Sequence, residues 1–193
     1  MNWLAHLHLA TLVNADAAAS ILPDVINPHT FIQATPKQKQ AMTLHQAVDY
    51  FTDQHQCVLQ AKIYCSPSYK RFSGILVDLF FDYCLCQTWQ VYSQMPLDAF
   101  IAQQHQQIQH ELSNLPVRAQ DFFRHLMQAN WLSSYQTLEG MQQTLQRLTQ
   151  RLKNRVDLAP ALQILIQHEM QFLALFHDFY PDLQAFVRSS VNY

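Results

Sequence analysis

Glycine is scarce in this chain of 193 residues, in which Gly74 and Gly140 are the only two. Tight hairpin turns and phosphate-cradling loops depend on glycine, because it adopts left-handed backbone angles without strain. The sequence therefore argues against a hairpin-rich β fold and against a P-loop. It also contains no GxSxG nucleophile motif and no HExxH zinc motif. The shortage of glycine favours an all-α protein.

Charge is low as well, since charged residues make up 13% of the chain and hydrophobic residues make up 49%. This balance is typical of a packed globular domain. The formal net charge of −2 gives no overall attraction to nucleic acid or to an anionic membrane. No stretch approaches the roughly 20 uninterrupted apolar residues of a membrane span, and the amino terminus lacks the features of a secretory signal. We expect a soluble, cytoplasmic protein with one domain over residues 1–193.

The four cysteines form no CxxC pair. Cys84 and Cys86 point about 200° apart if they lie on one helix. This pattern indicates small buried hydrophobic side chains in a reducing compartment, not a metal or redox site.

Hydrophobic residues recur with helical spacing along nearly the whole chain. The clearest predicted helices cover residues 2–13, 43–64, 74–92 and 96–112, and three later segments show the same spacing. The predicted breaks are residues 27–40, with a proline near each end, residues 65–74, and turns near Gly140 and Pro160. The pattern predicts one all-α domain of about eight helices.

Two aspartates occupy an otherwise apolar stretch, GILVDLFFDYCLCQTW, over residues 74–89. Asp78 and Asp82 are four residues apart, so they lie one turn apart on one face of a helix. Two buried like charges are unfavourable unless they share a proton, pair with cations or bind a divalent metal. A structural role in capping or ion pairing and a role in metal binding or acid–base chemistry both remain open.

A second polar group lies in LHQAVDYFTDQH, where His45, Asp49 and Asp53 follow one another at intervals of four residues. An amphipathic helix can carry such a stripe on its solvated face. Beside a helix with two aspartates, however, an imidazole and carboxylates offer the nitrogen and oxygen ligands that suit Mn²⁺, Mg²⁺ or iron.

Three further features have both a structural and a functional interpretation. His6 shares a helical face with Asn2, whereas His8 points elsewhere, and Asp24 in ILPDVINP precedes a loop. Each of these residues can be structural or part of a site. Basic residues recur every fourth position near the carboxyl end, at Arg147, Arg151 and Arg155. Such a stripe is either a solvated helix face or a docking surface for an acidic partner.

Five blocks of the sequence, taken in order and spacing, resemble the acyl carrier protein phosphodiesterases. The blocks are MNWLAHLHLA, ILPD, LHQAVDYFTDQH, GILVDLFFDYCL and FHDFYPDL, and they span nearly the whole chain. The resemblance implies an all-helical fold similar to the HD-domain metal-dependent phosphohydrolases. It implies hydrolysis of the phosphodiester between 4′-phosphopantetheine and a serine of holo-acyl carrier protein. It also implies a divalent metal, Mn²⁺ first and Mg²⁺ or Fe²⁺ as alternatives.

The resemblance also implies roles for individual residues. His6 and Asp24 are the expected catalytic residues, and the expected metal ligands are His45, Asp49, Asp78 and Asp82. Because acyl carrier proteins are acidic, the arginine stripe at Arg147, Arg151 and Arg155 is the expected docking surface.

The chain departs from the family pattern at three places. Tyr83 stands where the family typically has a histidine, Gln46 where an arginine is common, and Ala19-Ser20 where Gly-Asn is usual. Two alternatives therefore accompany the enzyme. One is a homologue that binds the carrier protein with impaired catalysis, and the other is a phosphohydrolase that acts on a different phosphodiester.

Overall fold

The computed structural model describes residues 1–190, and within that range it contains ten α-helices and no β-strand. The helices are α1 (Trp3–Leu12), α2 (Pro36–Gln54), α3 (Gln56–Tyr69), α4 (Ser73–Gln87), α5 (Trp89–Tyr92), α6 (Leu97–Glu111), α7 (Val117–Gln128), α8 (Leu138–Arg151), α9 (Leu162–Gln167) and α10 (Glu169–Ser189). The prediction of an all-α fold is confirmed. The described residues form ten helices where about eight were predicted, because predicted long helices are divided.

The predicted helix over residues 43–64 is two helices, and the first begins earlier than expected. Thr35 and Gln38 form a capping box in which each side chain accepts a hydrogen bond from the other residue's backbone N–H, at 3.2 and 3.0 Å. These bonds satisfy N–H groups that have no partner within the helix, so α2 begins at Pro36, inside the predicted loop. At His55 the backbone is extended, and the imidazole accepts the N–H of Cys57 to start α3.

Gly140 lies in the first turn of α8 and not in the predicted turn before it. A β-carbon at this position would overlap the backbone of Ser134, including its carbonyl oxygen. Glycine is therefore required here by close packing of α8 against the preceding 3₁₀ turn, Ser133–Gln136.

Helix α1 is almost entirely surrounded by other helices. All residues from Leu4 to Ala10 are buried, and α1 contacts α2, α4 and α10. One continuous hydrophobic core extends from Met1 to Val187. A polar side chain on α1 must therefore find its partners on the neighbouring helices, because water does not reach it. Among the described residues, no helix has the length and apolar character needed to cross a membrane.

Candidate active site

Helices α1 and α2 bring two imidazoles and a carboxylate together. The rings of His6 and His45 are stacked, and Asp49 lies one turn after His45 on α2. Nε2 of His6 is 3.1 Å from Oδ1 of Asp49, and Nε2 of His45 is 3.1 Å from Oδ2 of the same carboxylate. One potential ligand atom from each residue lies within 4.8 Å of the other two, so the group can hold a metal ion. We call His6, His45 and Asp49 the His–His–Asp cluster.

The ring of His45 is held in place by hydrogen bonds on both of its nitrogens. Its Nδ1 donates to the backbone carbonyl of Ser20 at 2.8 Å, which leaves Nε2 directed at Asp49. Fixing one ring nitrogen in this way sets the orientation in which the other can bind a proton or a metal.

Asp24 lies at the edge of the cluster, in a 3₁₀ turn that covers Leu22–Asp24. One of its carboxylate oxygens is 3.6 Å from Nε2 of His45. The other accepts the indole N–H of Trp3 at 3.0 Å. Trp3 thus fixes the orientation of this carboxylate beside His45.

The two stacked imidazoles differ in their affinity for protons. Burial alone would lower the pKa of His45, but hydrogen bonds and charges from Asp24 and Asp49 raise that pKa to about 9. Burial, together with the charge of His45, lowers the pKa of His6 to about 4. Near pH 7 the ring of His6 is therefore neutral and carries a lone pair that can bind a cation.

Both carboxylates of the cluster region are ionised at neutral pH. Burial acts to raise the pKa of Asp49, but the hydrogen bonds from His45 and His6 hold it well below its ordinary range. Burial also acts to raise the pKa of Asp24, but the contact with His45 lowers that pKa below its ordinary value. Two ionised carboxylates thus lie beside one protonated and one neutral imidazole, and the net negative charge favours a cation that replaces the proton of His45.

Asp78 is connected to Asp49 through the amino group of Met1. Its side chain is 32% exposed, and one oxygen is 3.2 Å from the amino group of Met1. That amino group is also 3.4 Å from Asp49. Burial would lower the pKa of the amino group, but Asp78 and Asp49 raise it to about 10. A positively charged group thus fits between these two carboxylates.

Asp82 is turned away from the cluster, although it is only one turn from Asp78 on α4. Its side chain is fully buried, and its two oxygens accept the backbone N–H groups of Leu4 at 2.8 Å and Ala5 at 3.2 Å. Burial raises the pKa of Asp82 to about 7, against the effect of these two donors. The sequence predicts Asp82 as a metal ligand, and the structure places it at the start of α1.

The three predicted docking arginines do not form one helical stripe. Helix α8 ends at Arg151, and the positive φ angles of Lys153 and Asn154 turn the chain, so Arg155 lies beyond the helix. The prediction of one arginine stripe was wrong, because it assumed that a single helix continues through Arg155. Arg151 donates to the backbone carbonyl of Asp24 at 3.2 Å and therefore lies beside the cluster.

Arg147 is held within the protein more firmly than the other two arginines. It is half-buried and donates to Thr144 at 2.7 Å and to Ser134 at 3.1 Å. Its guanidinium also lies over the ring of Trp131, 5.6 Å from the centroid. Trp131 in turn stacks on Trp3.

The positions that depart from the family pattern supply no side chain to the cluster. The hydroxyl of Tyr83 donates to Glu169 on α10 at 2.5 Å, and the side chain of Gln46 is exposed. Ala19 is part of the core, and Ser20 contributes its backbone carbonyl to His45, which an asparagine would also possess. The side chains of Tyr83, Gln46, Ala19 and Ser20 therefore make no hydrogen bond or ion pair with the cluster.

Two other polar residues considered from the sequence lie outside the cluster. Asp53 pairs with Lys62 at 2.8 Å, and His8 bonds the hydroxyl of Tyr180 at 2.7 Å in the core. The roles of Trp3 and of the Ser20 carbonyl were not predicted from the sequence. The only signal for Trp3 was its place in the first motif block, and a backbone contact leaves no signal in the sequence.

The chain matches the family described as acyl carrier protein phosphodiesterase over residues 1–183. It is 32% identical over 196 aligned positions to a protein of that name from Pectobacterium atrosepticum, with 98% of each chain covered. The identity is 32% over 182 residues to one from Photorhabdus laumondii, covering 94% of this chain and 92% of the relative. A third, from Yersinia pestis, is 30% identical over 184 residues, with 95% of each chain covered. No solved structure matches the chain significantly.

These similarities extend over nearly the full length of both this chain and its relatives. The chain belongs to the acyl carrier protein phosphodiesterase family, a class of hydrolases. The resemblance read from the five sequence blocks is confirmed.

Proposed function

We propose that this protein hydrolyses the phosphodiester between 4′-phosphopantetheine and a serine of holo-acyl carrier protein, and releases the apo-protein. Membership of the family supports the substrate, since the relatives carry that name. The single observation that carries the proposal is the His–His–Asp cluster, because a cation held next to oriented proton carriers can stabilise the charge that develops on a phosphodiester during hydrolysis.

We propose further that the cluster holds one divalent metal, with Mn²⁺ preferred and Mg²⁺ or Fe²⁺ as alternatives. Its ligands would be His6, His45 and Asp49, with Asp78 at the edge. Two imidazole nitrogens and carboxylate oxygens suit these metals. The position of a charged amino group between Asp49 and Asp78 supports the fit of a cation. When bound, such a metal polarises a phosphoryl oxygen and lowers the pKa of a bound water.

The other residues of the site would position the reacting groups. The Ser20 carbonyl holds the His45 ring, and the Trp3 indole holds the Asp24 carboxylate. Asp24 is ionised and lies beside Nε2 of His45, so it would orient the attacking water and accept its proton. Catalysis of this kind depends mainly on holding the reactants in a fixed geometry.

The acidic carrier protein would approach over the carboxyl end of α8. Arg151 and Arg155 are both exposed, and Arg151 contacts Asp24 directly. Positive charge at the entrance to an acidic site would attract the carrier protein and raise the rate of encounter. Arg147 would support this surface through Trp131, with less direct contact to the substrate.

The test is incubation of the purified protein with holo-acyl carrier protein and Mn²⁺, followed by intact mass spectrometry of the carrier protein. We expect loss of the phosphopantetheine mass in the wild type and no loss with His45→Ala. Unchanged mass under conditions where a relative is active would contradict the proposal.

The non-catalytic alternative makes a different prediction for the same protein. A homologue that only binds the carrier protein would contain no stoichiometric metal but would still bind the carrier protein in a salt-sensitive manner. Elemental analysis of the purified protein, combined with a binding measurement at two salt concentrations, separates the two. A panel of small phosphodiesters tests the third possibility, a different substrate.

A further inference from the structure

The amino-terminal end of α1 is capped by a residue of α4. The first N–H groups of a helix have no partner within the helix and are usually satisfied by the side chain that precedes it. In α1 that residue is Asn2, and its side chain makes no such bond. The N–H groups of Leu4 and Ala5 instead donate to the two oxygens of Asp82, which is 78 residues from Leu4 in the sequence.

The amino group of Met1 acts on Asp82 through its charge but does not form an ion pair with it. Among residues 1–190, no lysine or arginine lies within ion-pair distance of Asp82, and its side chain is fully buried. The two hydrogen bonds from Leu4 and Ala5, the partial positive charge at the start of α1 and the charge of the Met1 amino group offset part of its desolvation. The cap is therefore the role that this carboxylate fulfils in the fold.

The first turn of α1 carries two contacts of the candidate site. Trp3 donates to Asp24, and His6 lies 3.1 Å from Asp49. Both side chains extend from the turn whose amides Asp82 holds. A displacement of this turn relative to α4 would therefore move Trp3 and His6 together.

We propose that Asp82 is a positioning residue that anchors the first turn of α1 to α4 and so places His6 and Trp3, without touching metal or substrate. The two aspartates of α4 then have separate roles: Asp78 faces the site, and Asp82 faces the backbone of α1. The effect on turnover rests on the proposed function, whereas the anchoring itself is measurable without metal or substrate.

Amide hydrogen exchange of the metal-free protein tests the anchor directly. In the wild type, the amides of Leu4 and Ala5 should exchange at least about tenfold more slowly than the amide of Trp3, which has no such acceptor. Equal exchange at the three positions would overturn the proposal without any variant.

Asp82→Asn provides the second measurement, because it keeps the side-chain volume and removes one acceptor and the charge. We expect exchange at Leu4 and Ala5 to rise at least about tenfold, with the amides of α8 unchanged. The controls are Asp78→Asn, which keeps the cap, and Val77→Ala, which destabilises α4 by removing buried methyl groups. Both controls should leave the contrast between Leu4, Ala5 and Trp3 intact. Exchange in Asp82→Asn that matches Asp78→Asn would overturn the proposal.

Metal binding separates an anchor from a ligand. Asp82→Asn should bind one Co²⁺ per chain with an unchanged visible absorption spectrum and an affinity about 10-fold lower, as expected for a residue that acts through a ligand. His45→Ala should lose the spectrum. A Co²⁺ spectrum altered in Asp82→Asn but not in Val77→Ala would identify Asp82 as a ligand and reject the proposal.

Turnover completes the test. The kcat of Asp82→Asn should fall about 10- to 100-fold with KM nearly unchanged, because the carrier protein still docks while His6 and Trp3 are displaced. Val77→Ala should keep kcat at temperatures below its melting point, and a loss of kcat there as large as in Asp82→Asn would contradict positioning. If the wild type shows no turnover on holo-carrier protein, the proposed function fails while the exchange result stands on its own.

Discussion

The imidazole rings of His6 and His45 lie face to face, with their centroids 3.9 Å apart and their planes inclined by 17°. One ring comes from α1 and the other from α2, and both direct Nε2 at Asp49. Two imidazoles in contact are not both protonated at neutral pH, because the like charges repel. At neutral pH the ring of His45 is therefore charged and the ring of His6 is neutral.

Replacing either histidine of the pair should abolish metal binding and turnover. For His6→Ala and His45→Ala we expect losses of kcat/KM greater than the roughly 10- to 100-fold that follows loss of a contact around a metal ligand. His177→Ala is the control, since His177 is exposed on α10. Isothermal titration with Mn²⁺ and the carrier-protein assay provide the readouts. Retention of stoichiometric Mn²⁺ in both variants would contradict the ligand assignment.

The stability of the metal-free protein should decrease as the pH rises from about 6.5 to 9. The folded pKa of His45 is about 9, above its ordinary value of 6.5, so the folded state binds more protons in this interval. The stabilisation from His45 is complete below pH 6.5 and is lost as the pH passes 9, and a shift of this size corresponds to roughly 3 kcal/mol. Denaturant unfolding in the presence of a chelator, at several pH values, measures it. In His45→Gln the decrease over this interval should be smaller, and an equal decrease would refute the assignment.

The hydrogen bond from Trp3 to Asp24 should contribute to turnover. Trp3→Phe removes the indole N–H but keeps an aromatic ring against Phe122 and Trp131. We expect kcat to fall about tenfold, near the lower end of the roughly 1.5–3 kcal/mol that a hydrogen bond to a charged group contributes. Trp131→Phe is the matched control, because its indole N–H has no partner among the described residues. Equal effects of the two changes would indicate that packing, not the hydrogen bond, is responsible.

The three arginines should differ in their effects on the carrier-protein substrate. Arg151→Ala should lower kcat/KM most, since Arg151 contacts Asp24, and Arg155→Ala should lower it less. Both effects should shrink at high salt, because exposed charges are screened. Arg147→Ala should mainly lower the melting temperature, through loss of its contacts to Ser134, Thr144 and Trp131. Steady-state kinetics at low and high salt, with thermal unfolding, separate these outcomes. A uniform effect of all three changes would contradict the distinction.

Alanine substitutions at the two glycines should have different effects on the free energy of unfolding. A β-carbon at Gly140 would overlap the backbone of Ser134, so Gly140→Ala should destabilise the protein by about 1–3 kcal/mol. At Gly74 it would make an ordinary contact, 3.6 Å from Cε of Lys62. Gly74→Ala should therefore be neutral or stabilise by up to about 1 kcal/mol, because alanine favours helices. Chemical denaturation of both variants tests the difference. A stable Gly140→Ala protein would show that α8 can shift away from Ser134.

Local spacing was sufficient to predict the parts of the fold and site that depend on one helix. The all-α class followed from helical periodicity, and the proximity of His45 and Asp49 followed from their separation by four residues. The cluster itself was incompletely predicted, because the entry of His6 depends on how α1 packs against α2. Sequence spacing contains no information on such a contact between helices.

The same limit explains the boundaries that were wrong. His55 divides a predicted continuous helix by accepting the N–H of Cys57, and the positive φ angles of Lys153 and Asn154 end the arginine stripe. At both places the helical spacing of hydrophobic residues continues without interruption, so the sequence gives no sign that the helix ends. For Asp82 the pattern indicated correctly that a buried carboxylate needs partners, but the partners are backbone amides of α1.

The hydrogen bond between His45 and Ser20 has a consequence for sequence variation in this family. Because the acceptor is a main-chain oxygen, every amino acid supplies it as long as the backbone keeps its path. The side chain at position 20 can therefore change, among residues that fit its buried place, while the hydrogen bond to His45 is kept. A motif comparison that counts side chains will record a loss at this position even where the geometry of the site is preserved.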